Sequence, residues 1–187
     1  MNVARILLID RGNFFHPIPG CAPGVSMNVW RGRLGPSVNA SSLDPQNFVD
    51  ERLFTFLLHH EVHTATRLRY PVSVLCLNPD LPPSEATPAF TNEVAREAIR
   101  RIRATDVASI LPPSAVTLIL IDAEARNLTG ILRRLRETSG PWRFTFSAGG
   151  GCYPQTASNA DELLHQAVEL MKRARTEGGN RLYLPRV

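Results

Sequence analysis

Arginine dominates the positive charge of this sequence. Of its 21 basic residues, 20 are arginine and one, Lys172, is lysine. Arg96, Arg100 and Arg103 recur at helical spacing, which places them along one face of a predicted helix. A guanidinium group is planar and donates two parallel hydrogen bonds, to phosphate oxygens or to the O6 and N7 edge of guanine. The sequence therefore carries residues suited to binding phosphate or guanine.

Two further patterns are weaker evidence for a functional site. His59 and His63 are four residues apart, a spacing at which two imidazoles on one helix face can share a metal ion. No third ligand is near in sequence, so we interpret them as part of a solvent-exposed helix face. Gly149-Gly150-Gly151 is similar to a phosphate-binding loop, but no Lys-Ser or Lys-Thr pair follows it. We interpret these glycines as a flexible exit from a strand.

Hydrophobic periodicity predicts alternating helices and strands over most of the chain. The predicted helices are Pro45–Arg69 with Asp44 as its N-cap, Thr91–Arg103, Ala123–Glu137, and one that a capping box of Ser158 and Asp161 starts and Glu177 ends. The predicted strands are Val72–Asn78, Val107–Leu111, Val116–Ile121, Trp142–Ala148 and Arg181–Leu184. This order predicts an α+β fold whose mostly antiparallel sheet is flanked by helices.

The composition is that of a folded domain with a distinct N-terminal part. Apolar residues make up 43% of the chain and charged residues 20%, which excludes a disordered or fibrous protein. Residues 1–45 contain five glycines and five prolines and one strand candidate, Ala4–Asp10. We therefore predict a Pro/Gly-rich extension over residues 1–45 and the main domain over residues 46–187.

Charge and hydropathy limit the partners. The net charge of +4 permits nucleic-acid binding, but the sequence has no basic run interleaved with aromatic residues, so polymeric nucleic acid is not expected. No apolar run approaches the roughly 20 residues of a membrane helix. The N-terminus also lacks the apolar core of a signal peptide. We therefore expect a cytoplasmic protein that does not bind membranes.

From Phe48 to Leu184 the order and spacing of the segments resemble the GGDEF domain, the fold of diguanylate cyclases. The segments that carry this resemblance are Arg67–Ser73, Ile102–Val107, Phe144–Gly149, Ala167–Arg175 and Gly178–Arg181. The resemblance implies a nucleotide-cyclase-like sheet of the ferredoxin-like palm type. It also implies that residues 46–187 are a degenerate GGDEF domain of bacterial signal transduction.

The resemblance also predicts that catalysis is lost. In the family, two GTP-loaded domains face each other, and carboxylates hold the Mg²⁺ ions that assist phosphoryl transfer. The family's metal-binding aspartate falls on Asn78, and its signature falls on Pro112-Pro113-Ser114-Ala115-Val116. The prolines remove backbone N–H donors, and the signature carboxylates are gone. Asp80 remains, and Arg175 replaces a phosphate-contacting lysine. One carboxylate cannot hold two ions, so we expect no catalytic residues, no metal ion and no cofactor.

A ligand site of the family matches better. Arg103-Ala104-Thr105-Asp106 has the sequence and the position of the I-site, the Arg-x-x-Asp motif at which the family binds its product, cyclic di-GMP. The resemblance implies that Arg103 donates to guanine O6 and N7 and that Asp106 accepts from N1–H and N2–H₂. A second arginine from the following helix often contributes, for which Arg134 is the first choice and Arg133 the alternative. Arg100 is placed to stack on the ligand or to contact phosphate.

Three functional hypotheses follow. The first is a catalytically inactive regulator that binds cyclic di-GMP as a homodimer and signals occupancy to a protein partner. The second is a nucleotide-independent scaffold for dimerisation or protein interaction, in which Arg103 and Asp106 form only a surface salt bridge. The third is an enzyme, which would need carboxylates that the sequence lacks.

Overall fold

The computed structural model describes residues 47–82, 84–137 and 145–185. The predicted extension over residues 1–45, the cap at Asp44-Pro45 and Trp142 lie outside these residues. The helices are α1 (Glu51–Leu68), α2 (Pro88–Ile99), α3 (Ala125–Glu137) and α4 (Ala160–Thr176). The strands are β1 (Val72–Pro79), β2 (Val107–Leu111), β3 (Ala115–Ile121), β4 (Phe146–Tyr153) and β5 (Arg181–Tyr183). Among the described residues, no helix is both long enough and apolar enough to span a membrane.

The five strands form one sheet in the order β2-β3-β1-β4-β5. Neighbouring strands are antiparallel except for β4 and β5, which are parallel. Every residue of the central strand β1 is buried, because helices cover both faces of the sheet. The α+β prediction with a mostly antiparallel sheet is therefore confirmed.

The two faces of the sheet have separate cores. One core contains Leu75 and Leu77 of β1 with Val94 of α2 and Leu128 of α3. The other contains Phe54 and Leu58 of α1 with Leu163 of α4 and the opposite side of β1. Each fully buried side chain of this size stabilises the fold by roughly 1.5–3 kcal/mol relative to exposure. This packing holds the strand ends in fixed positions.

Helices α1 and α2 do not begin at the predicted residues, because other residues cap their N-termini. Helix α1 begins later than predicted, since the Asp50 carboxylate accepts a hydrogen bond from the backbone N–H of Leu53 at 2.8 Å. Helix α2 begins earlier, at a Thr87 N-cap, and ends at Ile99. Arg103 therefore lies in a turn beyond the helix and not on its last turn.

The N-terminus of α4 is capped by residues neighbouring the predicted pair. The Asn159 side chain accepts from the backbone N–H of Glu162 at 2.9 Å. The Glu162 carboxylate in turn accepts from the backbone N–H of Ser158 at 2.8 Å. This is a variant of the capping box, shifted by one residue from the predicted Ser158 and Asp161, in which the carboxylate accepts from the residue before the N-cap. Helix α3 also starts two residues later than predicted, at Ala125.

The three consecutive glycines are not a flexible exit. They are buried inside β4, which extends to Tyr153, well past the predicted end at Ala148. A Cβ on Gly149 would lie 2.2 Å from the backbone oxygen of Ala167 and the backbone nitrogen of Met171. Helix α4 therefore packs directly on the strand backbone, and only glycine permits this approach.

Candidate ligand-binding groove

A tight turn after α2 carries Arg103 and Asp106. The backbone N–H of Asp106 donates to the carbonyl of Arg103 at 3.0 Å, which closes the turn. One carboxylate oxygen of Asp106 accepts from the backbone N–H of Arg103 at 2.9 Å, and the other accepts from that of Ile121 at 3.0 Å. Asp106 therefore joins the turn to the end of β3.

The environment of the Asp106 side chain therefore differs from the predicted one. Its exposure is only 5%, because both carboxylate oxygens are directed at the backbone. The expectation that its side chain points into solvent is wrong, and so is the alternative of a surface salt bridge with Arg103. A carboxylate has about four lone-pair positions, so two remain for another donor.

The turn borders a groove of about 390 Å³ between α3 and the ends of β2 and β3. We call it the arginine groove. Its charged and polar lining residues are Arg101, Arg103, Asp106, Asp122, Arg126, Asn127, Arg133 and Arg134. Its apolar lining residues are Ile102, Leu120, Ile121, Ala123 and Ile131, with Gly130 beside them. Five arginines against two aspartates make the groove electropositive, which favours an anionic ligand.

Four of the five predicted ligand-binding residues line this groove. Arg103 and Asp106 contribute one wall, and Arg133 and Arg134 contribute the other from α3. Arg100 is not part of the lining, because its guanidinium points to Glu97 at 3.3 Å and is 65% exposed. The role of Arg100 in stacking on the ligand or contacting phosphate stays a prediction; α2 ends at Ile99, so the helical spacing does not continue to Arg103.

Four charged or polar lining residues were missed by sequence reasoning, namely Arg101, Asp122, Arg126 and Asn127. Arg101 also pairs with Glu97, but its side chain is only 14% exposed and lies against the groove. Arg126 forms an ion pair with Glu124 at 2.7 Å. Asn127 accepts a hydrogen bond from the backbone N–H of Glu124 at 3.0 Å, which fixes the start of α3. Only the last has a sequence signal, because asparagine is common at helix starts.

The opposite end of the β2–β3 hairpin carries the turn between the two strands. Leu111 faces Ala115 in the register, and residues 112–114 form the turn between them. Asn78, at the end of β1, is buried and opposite Ser147 of β4. Within residues 47–82, 84–137 and 145–185, no three His, Cys, Asp or Glu side chains are grouped to hold a metal ion. His59 instead contacts Asp161 of α4 at 3.0 Å.

The carboxylate of Asp80 is held by protein donors. It accepts hydrogen bonds from the hydroxyl of Ser147, the hydroxyl of Thr145 at 2.7 Å and the backbone N–H of Asn180 at 2.8 Å. Burial opposes ionisation of Asp80, but these hydrogen bonds and the charge of Arg175 outweigh it and lower its pKa. Asp80 therefore joins β1, β4 and the turn before β5.

Solved structures share this fold, although no protein-family model and no curated protein sequence matches the chain. The GGDEF domain of YfiN from Pseudomonas aeruginosa has a TM-score of 0.65 at 18% identity, over 74% of this chain and 97% of that one. The GGDEF domain of FimX from the same organism has a TM-score of 0.65 at 15% identity, over 77% and 99%. The GGDEF domain of DgcB from Caulobacter crescentus, in complex with c-di-GMP, has a TM-score of 0.62 at 13% identity, over 77% and 95%. The chain therefore has the GGDEF-domain fold, as the sequence predicted.

Proposed function

We propose that this GGDEF-fold domain is a non-catalytic receptor for cyclic di-GMP that binds the ligand in the arginine groove. The observation that carries the proposal is the meeting of Arg103 and Asp106, from the turn after α2, with Arg133 and Arg134 from α3 around one groove. Solved GGDEF structures support the choice of ligand, since DgcB was crystallised in complex with c-di-GMP.

The chemistry of the groove suits that ligand. Cyclic di-GMP is a dianion, and the five arginines supply positive charge and planar donors for phosphate and for guanine O6 and N7. The free lone pairs of Asp106 can accept from guanine N1–H and N2–H₂. The apolar residues Ile102 and Ile131 give a purine ring a surface to lie on.

Two observations support the absence of catalysis. The turn between β2 and β3 is built from Pro112, Pro113 and Ser114, which offer neither a carboxylate for a metal ion nor two glycine N–H groups for phosphate. The Asp80 carboxylate already accepts three hydrogen bonds from the protein. We expect no cyclic di-GMP to form from GTP and Mg²⁺, and product formation would contradict this part of the proposal.

The wider role we propose is that of a cytoplasmic regulator. In it, a homodimer of the chain binds cyclic di-GMP and passes the occupancy of the groove to a protein partner. Sedimentation of the chain with and without cyclic di-GMP tests the dimer.

Calorimetry with cyclic di-GMP tests the receptor. The wild-type chain should bind at tens of micromolar or tighter. Arg103→Ala should weaken binding at least about 10-fold, because it removes a bidentate donor. Arg173→Ala is the matched control, since Arg173 is an exposed arginine of α4 that pairs with Glu177. No heat from the wild type at these concentrations would overturn the receptor.

Gly130 allows a steric version of this test. A Cβ at this position meets nothing within 4 Å, so α3 tolerates a side chain that projects into the groove. Gly130→Ala should bind the ligand and stabilise α3 by about 0.5–1 kcal/mol. Gly130→Phe should fold normally and lose binding, because its ring occupies the groove. Unchanged binding by Gly130→Phe would place the ligand elsewhere.

One observation favours the second function, a nucleotide-independent scaffold. Leu53 and Phe56 of α1 are 44% and 65% exposed, which is unusual for two large apolar side chains one helical turn apart. Self-association through this face would bury them. Analytical ultracentrifugation of the wild type and Phe56→Glu, without nucleotide, tests this function, and a monomeric wild type at all concentrations would contradict it.

A further inference from the structure

Residues 47–49 lie along the outer strand of the sheet. Phe48 and Ala108 form an isolated parallel bridge beside β2. The backbone N–H of Ala108 donates to the carbonyl of Asn47 at 2.7 Å, and that of Val49 donates to the carbonyl of Ala108 at 3.0 Å. The next residue, Asp50, is the N-cap of α1. This short pairing therefore connects the start of α1 to β2.

The side chain of Asn47 continues the connection to the arginine groove. Its Nδ2 donates to the backbone carbonyl of Arg103 at 3.0 Å. The same carbonyl accepts from the backbone N–H of Asp106 at 3.0 Å. Asn47 therefore binds the turn whose two ends carry the predicted ligand-binding side chains, although it is 56 residues away in sequence.

We propose that Asn47 is a positioning residue of the arginine groove, and that ligand binding there is coupled to the pairing of residues 47–49 with β2. The coupling half of this inference rests on the proposed function. Losing the Asn47 hydrogen bond leaves the Arg103 carbonyl with the hydrogen bond from the Asp106 N–H, which loosens the turn that carries the guanidinium. By thermodynamic linkage, a ligand that needs the fixed turn must in return stabilise the pairing.

Three substitutions separate the donor from the shape of the side chain. Asn47→Asp keeps the shape but replaces the donor with an acceptor that faces the Arg103 carbonyl. Asn47→Gln keeps the amide donor on a longer arm and serves as the rescue variant. Asn159→Asp is the matched control, because Asn159 caps α4 away from the groove and aspartate caps helices equally well.

Binding of cyclic di-GMP to the full chain gives the first measurement. Asn47→Asp should weaken binding on the order of 10-fold, a typical coupling between sites. Asn47→Gln should return to within about 3-fold of the wild type, and Asn159→Asp should match it. Wild-type affinity in Asn47→Asp would overturn the positioning role.

Hydrogen exchange at single amides gives a measurement that loss of overall stability would not reproduce. Cyclic di-GMP should slow exchange at Val49 and Ala108 in the wild type, and this slowing should disappear in Asn47→Asp. Slower exchange at Asp106 with no change at Val49 would overturn the coupling, since the ligand would then act on the turn alone.

Hydrogen exchange at these amides also distinguishes a failure of this inference from a failure of the proposed function. If the wild type binds no cyclic di-GMP, the receptor fails and the coupling fails with it. The positioning role is still tested without ligand: Asn47→Asp should then exchange faster at the Asp106 amide than Asn159→Asp does. Equal rates in these two variants would overturn the positioning role as well.

Discussion

Asp80 and Asp106 lie at opposite ends of the sheet and are used differently. Asp80 follows β1 and accepts hydrogen bonds from two hydroxyls and one backbone N–H. Asp106 precedes β2 and accepts from two backbone N–H groups while it lines the arginine groove. Both carboxylates join distant segments of the chain, and Asp106 also lines the arginine groove.

The two carboxylates differ in the groups that surround them. At the Asp80 end, Ser147, Thr145 and Asn180 supply the donors, so the protein itself satisfies the charge. At the Asp106 end, two backbone N–H groups supply the donors, and five arginines line the same groove against two aspartates. Asp80 is therefore a structural connection, and Asp106 is a structural connection that we propose also contacts a ligand.

Asp106→Ala should have the largest effect on folding. It leaves the backbone N–H groups of Arg103 and Ile121 without their acceptor in a buried place. We expect a loss of about 3 kcal/mol in the free energy of unfolding. Urea denaturation measures it, with Asp161→Ala on the exposed face of α4 as the control. A loss no greater than that of the control would show that Asp106 is not structural.

Asp80→Asn should cost less, about 2 kcal/mol, because asparagine retains one acceptor oxygen and Asp80 is partly exposed to water. The effect should depend on pH. The folded pKa of Asp80 lies below its ordinary value of 3.8, so its ionised form stabilises the protein above that value.

The contribution of Asp80 to the free energy of unfolding decreases in acid. As the pH falls below 3.8 and through the folded pKa, Asp80 becomes protonated and its contribution disappears. The difference in unfolding free energy between wild type and Asp80→Asn should therefore be constant at neutral pH and shrink in acid. Urea denaturation at a series of pH values measures it, and a difference that grows in acid would contradict the hydrogen-bond network.

The two α3 arginines should contribute unequally to ligand affinity. Arg134 lines the arginine groove, whereas Arg133 lines it and also a second cavity beside Arg136 and Arg181. Arg134→Ala should weaken cyclic di-GMP binding on the order of 10-fold, and Arg133→Ala about 3-fold. Calorimetry of both variants decides between them, and the reverse order would make Arg133 the principal second arginine.

Arg100→Ala should have the smallest effect. Its guanidinium is directed to Glu97 and exposed to solvent, and exposed ion pairs contribute only about 0–1 kcal/mol. Affinity for cyclic di-GMP should stay within about 2-fold of the wild type. A larger loss in the same calorimetric titration would mean that the ligand extends out of the groove and over the end of α2.

Much of the fold could be predicted from local sequence patterns. The buried stripe of α2, which includes Val94 and Ala98, has helical spacing, and β2 was predicted with its observed ends. The interpretation of Gly149-Gly150-Gly151 as a flexible exit from a strand was wrong. Consecutive glycines occur in loops, but they also occur where a helix packs directly on a strand backbone, as α4 does on β4. The end of α2 was also misplaced. Sequence periodicity extended the helix to Arg103, but the Asp106 carboxylate accepts from the backbone N–H of Arg103 and holds that residue in the turn that follows the helix.

The sequence by itself determined the order of the elements, the absence of carboxylates from residues 112–116 and the presence of an Arg-x-x-Asp segment before the hairpin. These follow from residue types and from short spacings. Only the tertiary structure decided which groups meet: Asp80 with Asn180, Asp106 with Ile121, and Asn47 with Arg103. The physical reason is that these hydrogen bonds join different elements, which are brought together by burial of the two cores and not by any local pattern.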